Sequence, residues 1–210
     1  KNIKSVSKSQ KFGIDCGATK VMAQSVIYDS KSQIIKPAGL NFEYNYSDCS
    51  FWNPNFIPIP LEIQKAELEN GVFNIKKTER IQASAIVEII KQLISKLNSK
   101  DIALCYPGLK SRSGIILMAN GPRIPDLIEQ IPEIKTIYHD SECCLLGEIN
   151  SVIGRIKHSK NTIYIGGGTG IADGLILNNE IIDFNKEDDL KRSWEIFLPS
   201  KMTVESNLSP

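Results

Sequence analysis

Residues 12–21 constrain the fold of this 210-residue chain more than any other stretch. An apolar strand pattern there runs into a turn of small and acidic residues, Asp15-Cys16-Gly17-Ala18-Thr19. Gly17 lets the backbone approach a ligand, and the Thr19 hydroxyl and nearby N–H groups can face phosphate oxygens. Phosphate repels Asp15 unless a divalent cation lies between them, which predicts Mg²⁺ held directly or through water. A plain hairpin turn between strands 11–16 and 20–28 explains the same residues.

A second strand–glycine–strand pattern lies far downstream, at residues 163–177. Its turn holds consecutive glycines from Gly166, with Thr169 and Gly170 following. Two hairpins of this kind, each with a threonine in its turn, resemble the paired phosphate loops of the sugar kinase, heat-shock ATPase and actin superfamily. We therefore expect Gly17 and Gly168 to face one cleft.

Composition and charge exclude several classes of protein. The net charge is +1 with scattered Lys and Arg, so the sequence predicts neither a nucleic-acid nor a membrane partner. No window approaches the roughly 18 apolar residues of a membrane span. The five cysteines form an odd count and no CxxC pair. We interpret them as buried thiols in a reducing compartment and expect a cytoplasmic protein.

The order of apolar patterns predicts an α/β fold. Isoleucines and leucines at helical spacing indicate a core helix from Thr78 to Leu97 that Asn98 can end, and a buried strand follows at 102–106. A second helix is predicted over 141–153. Residues 33–36 can return as a third antiparallel strand.

The stretch after this third strand is predicted to be irregular. Residues 37–62 hold four prolines and many aromatic residues, so we expect an irregular insertion that reaches about residue 77. The expected domains are an N-terminal lobe at 1–153, with this insertion at 37–77, and the start of a second lobe at 154–210.

Four spaced motifs resemble the ROK (repressor, open reading frame, kinase) family of sugar kinases and sugar-responsive regulators. Residues 13–20 resemble the first phosphate loop of the family. Tyr106-Pro107-Gly108, with Gly114 and Asn120, resembles its sugar-side segment. Residues 138–148 resemble its catalytic strand–helix junction, and 168–177 its second phosphate loop. The resemblance covers about residues 11–182 apart from the insertion.

The resemblance implies an actin-like ATPase (ribonuclease H-like) fold with a mixed sheet and helices, and an ATP-dependent sugar kinase. Asp140 would be the general base that activates a sugar hydroxyl for attack on the γ-phosphate. The implied nucleotide-phosphate ligands are Asp15, Gly17, Thr19, Lys20, Gly168, Thr169 and Gly170. The implied sugar ligands are Gly108, Asn120, His139, Asp140 and Glu195. The expected cofactor is Mg-ATP with Asp15 as the metal ligand, the partners are a sugar and ATP, and a homodimer is left open.

Departures from the family pattern support an alternative to the kinase function. Ala18 replaces a usual glycine, His139 replaces a usual asparagine, and Glu195 alone matches the downstream sugar-binding motif. The zinc knuckle of many relatives has no counterpart, so we predict no zinc site. The alternative is a catalytically degenerate sugar- or nucleotide-binding protein, or a sugar-responsive regulator. In that case Asp140 would serve only as a helix cap.

Overall fold

The computed structural model describes residues 10–167, 171–184 and 189–208. Gly168, Thr169 and Gly170, the core of the second predicted phosphate loop, lie outside the described residues. Two compact units are present. Among the described residues, one comprises 10–29 and 36–137, and the other comprises the short segment Ser30–Ile35 and those from Tyr138 onward.

Strands and helices alternate along the chain, as an α/β pattern requires. The strands are β1 (Lys11–Cys16), β2 (Lys20–Asp29), β3 (Ile34–Asn45), β4 (Asp101–Cys105), β5 (Leu109–Lys110), β6 (Ile115–Leu117), β7 (Ile137–Tyr138), β8 (Thr162–Gly167), β9 (Ile171–Leu177) and β10 (Glu180–Ile181). The α-helices are α1 (Leu61–Glu69), α2 (Lys77–Leu97), α3 (Leu127–Gln130), α4 (Asp140–Asn150) and α5 (Val204–Leu208). None of the described helices is both long and apolar enough to cross a lipid bilayer.

The main sheet is mixed and has the strand order β3-β2-β1-β4-β7. Strand β1 pairs antiparallel with β2 and parallel with β4, and Asp15 lies opposite Met22 and Cys105 in the two ladders. A parallel pair needs a long crossover connection, and the segment that contains α2 supplies it. Strand β1, which carries the first predicted phosphate loop, is therefore held on both sides.

Helix α2 forms the core of the first unit, as its periodicity predicts. Its buried face contributes Ile86, Ile89, Ile90 and Leu93 to one apolar cluster with the sheet. The inward-facing residues of β1 and β2 that join this cluster are Phe12, Ile14, Cys16, Val21 and Ala23. The helix ends at Asn98, whose left-handed backbone, with φ of 45°, terminates it where the sequence predicts.

The expectation of irregular structure over residues 37–62 is wrong for its first nine residues. Strand β3 continues to Asn45 and contains Pro37. Because β3 is an edge strand of the sheet, Pro37 can be accommodated where its missing N–H would face solvent. The remainder of the predicted insertion includes helix α1, which no pattern in the sequence predicts.

The second unit pairs helix α4 with a three-stranded antiparallel sheet of order β10-β9-β8. Leu145 of α4 is fully buried and lies against Gly174 of β9. A Cβ atom at Gly174 would lie 2.7 Å from Leu145 Cδ1, so the absent side chain allows the helix to sit close to the strand. Helix α4 thus belongs to this unit, whereas the expected boundary after residue 153 assigns it to the first lobe.

Candidate functional site

The β1–β2 hairpin presents the first predicted phosphate loop to solvent. The Gly17 N–H donates to the Lys20 carbonyl oxygen over 2.9 Å and closes the turn. The Thr19 carbonyl accepts from the N–H of Tyr46, the residue that follows strand β3, over 3.0 Å, and this bond anchors the turn to the end of that strand. Asp15, Gly17 and Thr19 are all exposed. The structure therefore brings these predicted ligands together on one accessible turn.

Asp15 lies on the open face of the sheet, opposite the α2 core. Its Oδ1 atom accepts a hydrogen bond from the Cys105 thiol over 3.3 Å, and a Cβ at the neighbouring Gly13 would have no atom within 4 Å. Magnesium is usually held by one or two carboxylates together with phosphate oxygens and waters. An exposed carboxylate on an open face fits that requirement. Across the described ranges, no group of three metal-ligating side chains converges.

Lys20 forms an ion pair with an exposed carboxylate. Its Nζ lies 2.9 Å from Oε2 of Glu43 on β3, and both side chains are exposed. Exposed ion pairs of this kind contribute little free energy, about 0–1 kcal/mol. Lys20 can therefore exchange this partner for another anion at small cost.

A buried polar cluster lies beneath the hairpin. Burial raises the pKa of the Cys16 thiol well above its usual range, and the Asp15 carboxylate adds to the shift. Burial likewise raises the pKa values of Tyr46 and Tyr106. These three groups stay protonated at neutral pH, so they support the turn and do not supply a nucleophile.

Gly108 and Asn120, the predicted sugar-side residues of the first unit, have different local roles. Gly108 has a φ of 87°, and a Cβ there would lie 2.4 Å from the Leu117 carbonyl oxygen, so glycine is required by the fold itself. Asn120 is exposed in the bend after β6. Of these two residues, Asn120 alone has an exposed side chain that can contact a sugar.

Asp140 begins helix α4, but the N-cap of that helix is His139. The Nδ1 atom of His139 accepts from the Ser141 N–H over 3.3 Å. Asp140 Oδ1 lies 2.8 Å from His139 Nδ1 and accepts from the Ser141 N–H over 2.9 Å. The Asp140 side chain keeps 29% of its accessible surface. Capping is thus shared with a neighbour, and the carboxylate remains accessible.

Tyr164 of β8 is a neighbour of Asp140 that the sequence does not single out. A hydrogen bond with the Cys144 thiol and partial burial raise its pKa to about 12, with the charges of Asp140 and Glu148 adding to the shift. Its ring folds back over Gly166, where a Cβ would lie 2.5 Å from the phenol oxygen. No spacing rule links a strand tyrosine to a helix that begins 24 positions earlier, so the sequence carries no signal for this contact.

Glu195, the predicted sugar ligand of the second unit, makes a local contact. Its Oε2 atom accepts from the Arg192 N–H over 2.9 Å and caps a short 3₁₀ turn. The Arg192 guanidinium reaches the Asp173 side chain over 3.4 Å at the start of β9. Burial raises the pKa of Glu205 nearby, the Ile171 N–H opposes this shift, and the Asp173 carboxylate adds to it.

Comparison with known proteins rests on three-dimensional structure. No family model and no curated protein sequence matches the chain. A candidate sugar kinase from Cytophaga hutchinsonii aligns over 95% of this chain and 58% of its own, with 20% identity and a TM-score of 0.56. The inorganic polyphosphate/ATP-glucomannokinase of Arthrobacter sp. strain KM aligns over 96% of this chain and 69% of its own, with 15% identity and a TM-score of 0.59.

A third solved structure carries the family name. A ROK family glucokinase from Streptomyces griseus, determined with glucose and AMPPNP, aligns over 83% of this chain and 46% of its own, with 15% identity and a TM-score of 0.50. The chain thus spans between 46% and 69% of the length of these three proteins. The predicted mixed α/β architecture is confirmed: the chain has the actin-like ATPase fold, in the form found among ROK-family sugar kinases.

Proposed function

We propose that this protein is an ATP-dependent sugar kinase in which Asp140 is the general base. The observation that carries the proposal is the accessible carboxylate at the start of α4, where His139 supplies the N-cap. A sugar hydroxyl is a poor nucleophile, and phosphoryl transfer to it needs a carboxylate that accepts its proton. The likeness in fold to sugar kinases supports the same reaction.

In the proposed reaction, the sugar hydroxyl oxygen forms a bond to the γ-phosphorus while the bond from that phosphorus to the β–γ bridging oxygen breaks. The hydroxyl proton passes to an Asp140 carboxylate oxygen, and ADP leaves with the electron pair of the broken bond. The Ser141 N–H, which donates to Asp140 Oδ1 over 2.9 Å, fixes the orientation of the carboxylate. Proton acceptance by a positioned carboxylate contributes about 10²–10⁴-fold in rate.

The nucleotide site is proposed at the β1–β2 hairpin. Gly17 and Thr19 offer small, exposed backbone and a hydroxyl to phosphate oxygens, and Lys20 can exchange Glu43 for a phosphate. Asp15 would hold Mg²⁺ directly or through water. The bound ion supplies positive charge that offsets the phosphates. Gly168, Thr169 and Gly170 are included among the proposed nucleotide ligands only because of the resemblance in sequence.

On the resemblance in sequence, the proposed sugar ligands are Gly108 and Asn120 in the first unit and His139 and Asp140 in the second. Glu195 can bind the sugar through Oε2 only after the 2.9 Å hydrogen bond that this atom accepts from the Arg192 N–H is broken. The proposed partners are therefore a sugar and Mg-ATP. A homodimer stays a prediction.

A cytoplasmic location forms part of the proposal. None of the five cysteines forms a disulfide, and Cys16, Cys49 and Cys105 are buried. Free thiols that are not paired as disulfides are typical of a reducing compartment. Cys143 and Cys144 are more accessible, so the expectation that the thiols are mostly buried holds for the first three alone.

A second candidate function is a sugar- or nucleotide-binding protein, or a sugar-responsive regulator, without catalysis. The observation that favours it is the 2.8 Å separation of His139 Nδ1 and Asp140 Oδ1. The imidazole ring in contact with Asp140 covers one of the carboxylate oxygens that would accept the proton of the sugar hydroxyl. Family kinases usually carry asparagine at this position, so His139 departs from their pattern at a residue that contacts the proposed base.

One experiment separates the two functions. The protein is incubated with a panel of hexoses, amino sugars and N-acetylated sugars, with and without Mg-ATP, while ADP release and thermal stability are followed. A ligand at a hundred times its dissociation constant adds about 2.7 kcal/mol of stability. Sugar-dependent ADP release supports the kinase, and stabilisation without release supports the binding protein. A panel with neither effect contradicts both.

A further inference from the structure

Helix α1, within the stretch expected to be an irregular insertion, contacts the rest of the first unit through a buried amide. Gln64 is the buried residue of this helix. Its Oε1 accepts from the Met118 N–H and its Nε2 donates to the Met118 carbonyl oxygen, each over 2.8 Å. One side chain thus satisfies both backbone groups of Met118, as an adjacent strand would.

The same face of α1 reaches a buried arginine one turn later. Glu67 lies three positions after Gln64, so the two side chains point the same way. Glu67 Oε2 accepts a hydrogen bond from Arg123 Nη1, and the Arg123 side chain has no accessible surface. Burial lowers the pKa of Arg123, but bonds to Glu79 and Glu67 outweigh it and raise the pKa overall.

The Glu79 carboxylate of α2 accepts hydrogen bonds from both the backbone and the side chain of Arg123. The Arg123 N–H donates to Glu79 Oε1 over 3.0 Å, while Nε and Nη2 donate to the two carboxylate oxygens over 2.9 and 3.0 Å. Charge-assisted bonds to a planar guanidinium fix direction as well as distance. The backbone at Arg123 is therefore fixed as firmly as the backbone at Met118.

These two anchors flank Asn120. Only residues 119–122 lie between Met118 and Arg123, and Asn120 is exposed in the middle of this loop. A helix that served only to cover the core would bury apolar side chains, whereas α1 buries an amide aimed at a backbone. Buried polar groups with satisfied partners specify one arrangement of the parts that they join.

We propose that α1 is a brace that presets the Asn120 loop for a sugar hydroxyl, with Gln64, Glu67 and Glu79 as positioning residues. This proposal rests on the proposed kinase function. A ligand group held in its bound geometry before binding lowers the entropic cost of recognition. The brace therefore sets the KM for the sugar and leaves the nucleotide site unaffected.

The test compares Gln64→Met and Glu67→Gln with Glu69→Gln, an exposed position of the same helix. Loss of one hydrogen bond to the sugar weakens binding by about 10- to 100-fold, so Gln64→Met should raise the sugar KM by about that factor and change kcat and the ATP KM by less than about threefold. Glu67→Gln should shift the sugar KM in the same direction, and Glu69→Gln should match the wild type.

Hydrogen exchange gives a second readout that does not need turnover. The Met118 and Arg123 amides should exchange faster in Gln64→Met than in wild type or Glu69→Gln. If the wild type transfers no phosphate but this exchange still rises, the kinase function fails and the brace stands. If all Michaelis constants and the exchange at 118–123 stay at wild-type values while only the melting temperature falls, Gln64 is a stabilising residue and the brace is refuted.

Discussion

Replacing Arg123 with methionine tests the buried ion cluster of the first unit. The change removes side-chain bonds to Glu79 over 2.9 and 3.0 Å, to the Asn74 carbonyl over 3.3 Å, and to Glu67. The Glu79 side chain has 1% of its surface accessible, whereas Glu67 has 18%. Glu67 can turn towards water after the substitution, but Glu79 would remain a buried and uncompensated charge.

The expected loss follows from that geometry. Breaking a buried ion pair by removing one partner costs about 3–5 kcal/mol. With a urea slope of about 2 kcal/mol/M, the midpoint of unfolding should fall by about 1.5–2.5 M. Since domain stabilities are about 5–15 kcal/mol, the variant would fold with a much reduced margin.

Fluorescence from Trp52 reports on the first unit alone in a Trp194→Phe background. Urea midpoints are compared for Arg123→Met, for the exposed control Arg112→Met, and for the double variant Arg123→Met/Glu79→Leu. The control should match its parent, and the double variant should recover part of the loss because no buried charge remains. A loss below about 1 kcal/mol for Arg123→Met would refute the reasoning, since it would place this cluster in the range of exposed ion pairs.

Three further predictions concern single residues. Gly108→Ala should destabilise the first unit by at least about 1–2 kcal/mol, because its φ is 87°; Gly13→Ala, which meets no atom within 4 Å, serves as the control in thermal melts. Asp15→Asn should weaken Mg-ATP binding in calorimetry and leave sugar binding nearly unchanged; equal loss of both would indicate a folding role. Glu205 has a raised pKa in the folded state, so its stabilisation is present below the pKa of the unfolded chain and is lost as pH rises through the folded value. Between about pH 4 and about pH 8, the urea midpoint of Glu205→Gln should therefore fall by less than the urea midpoint of the wild type. Identical pH profiles for the two proteins would contradict this.

Local patterns predicted the elements that bury an apolar face. Helix α2 and the β1–β2 hairpin follow directly from periodicity and from a short turn between adjacent strands. Helix α1 escaped prediction because its buried residue is Gln64, while Ile63 beside it is 51% exposed. No apolar period marks such a helix.

The candidate site was predicted less completely, because several of its contacts join distant positions. The sequence identifies Asp140 and allows it to be either a cap or a base, and only the structure assigns the N-cap to His139. Arg123 meets Glu79 across 44 positions, which no local spacing rule detects. Neighbours of this kind depend on the packing of whole helices and strands.

Transfer of labelled γ-phosphate from ATP to a sugar by Asp140→Asn tests the central claim most directly. Asparagine keeps the shape of the side chain but cannot accept the proton, so the rate should fall by about 10²–10⁴-fold while sugar affinity is retained. Glu142→Gln removes a negative charge from the same first turn of α4 and should keep most of the activity. If wild type transfers phosphate and Asp140→Asn retains most of that rate, Asp140 is not the general base and the proposed mechanism is wrong.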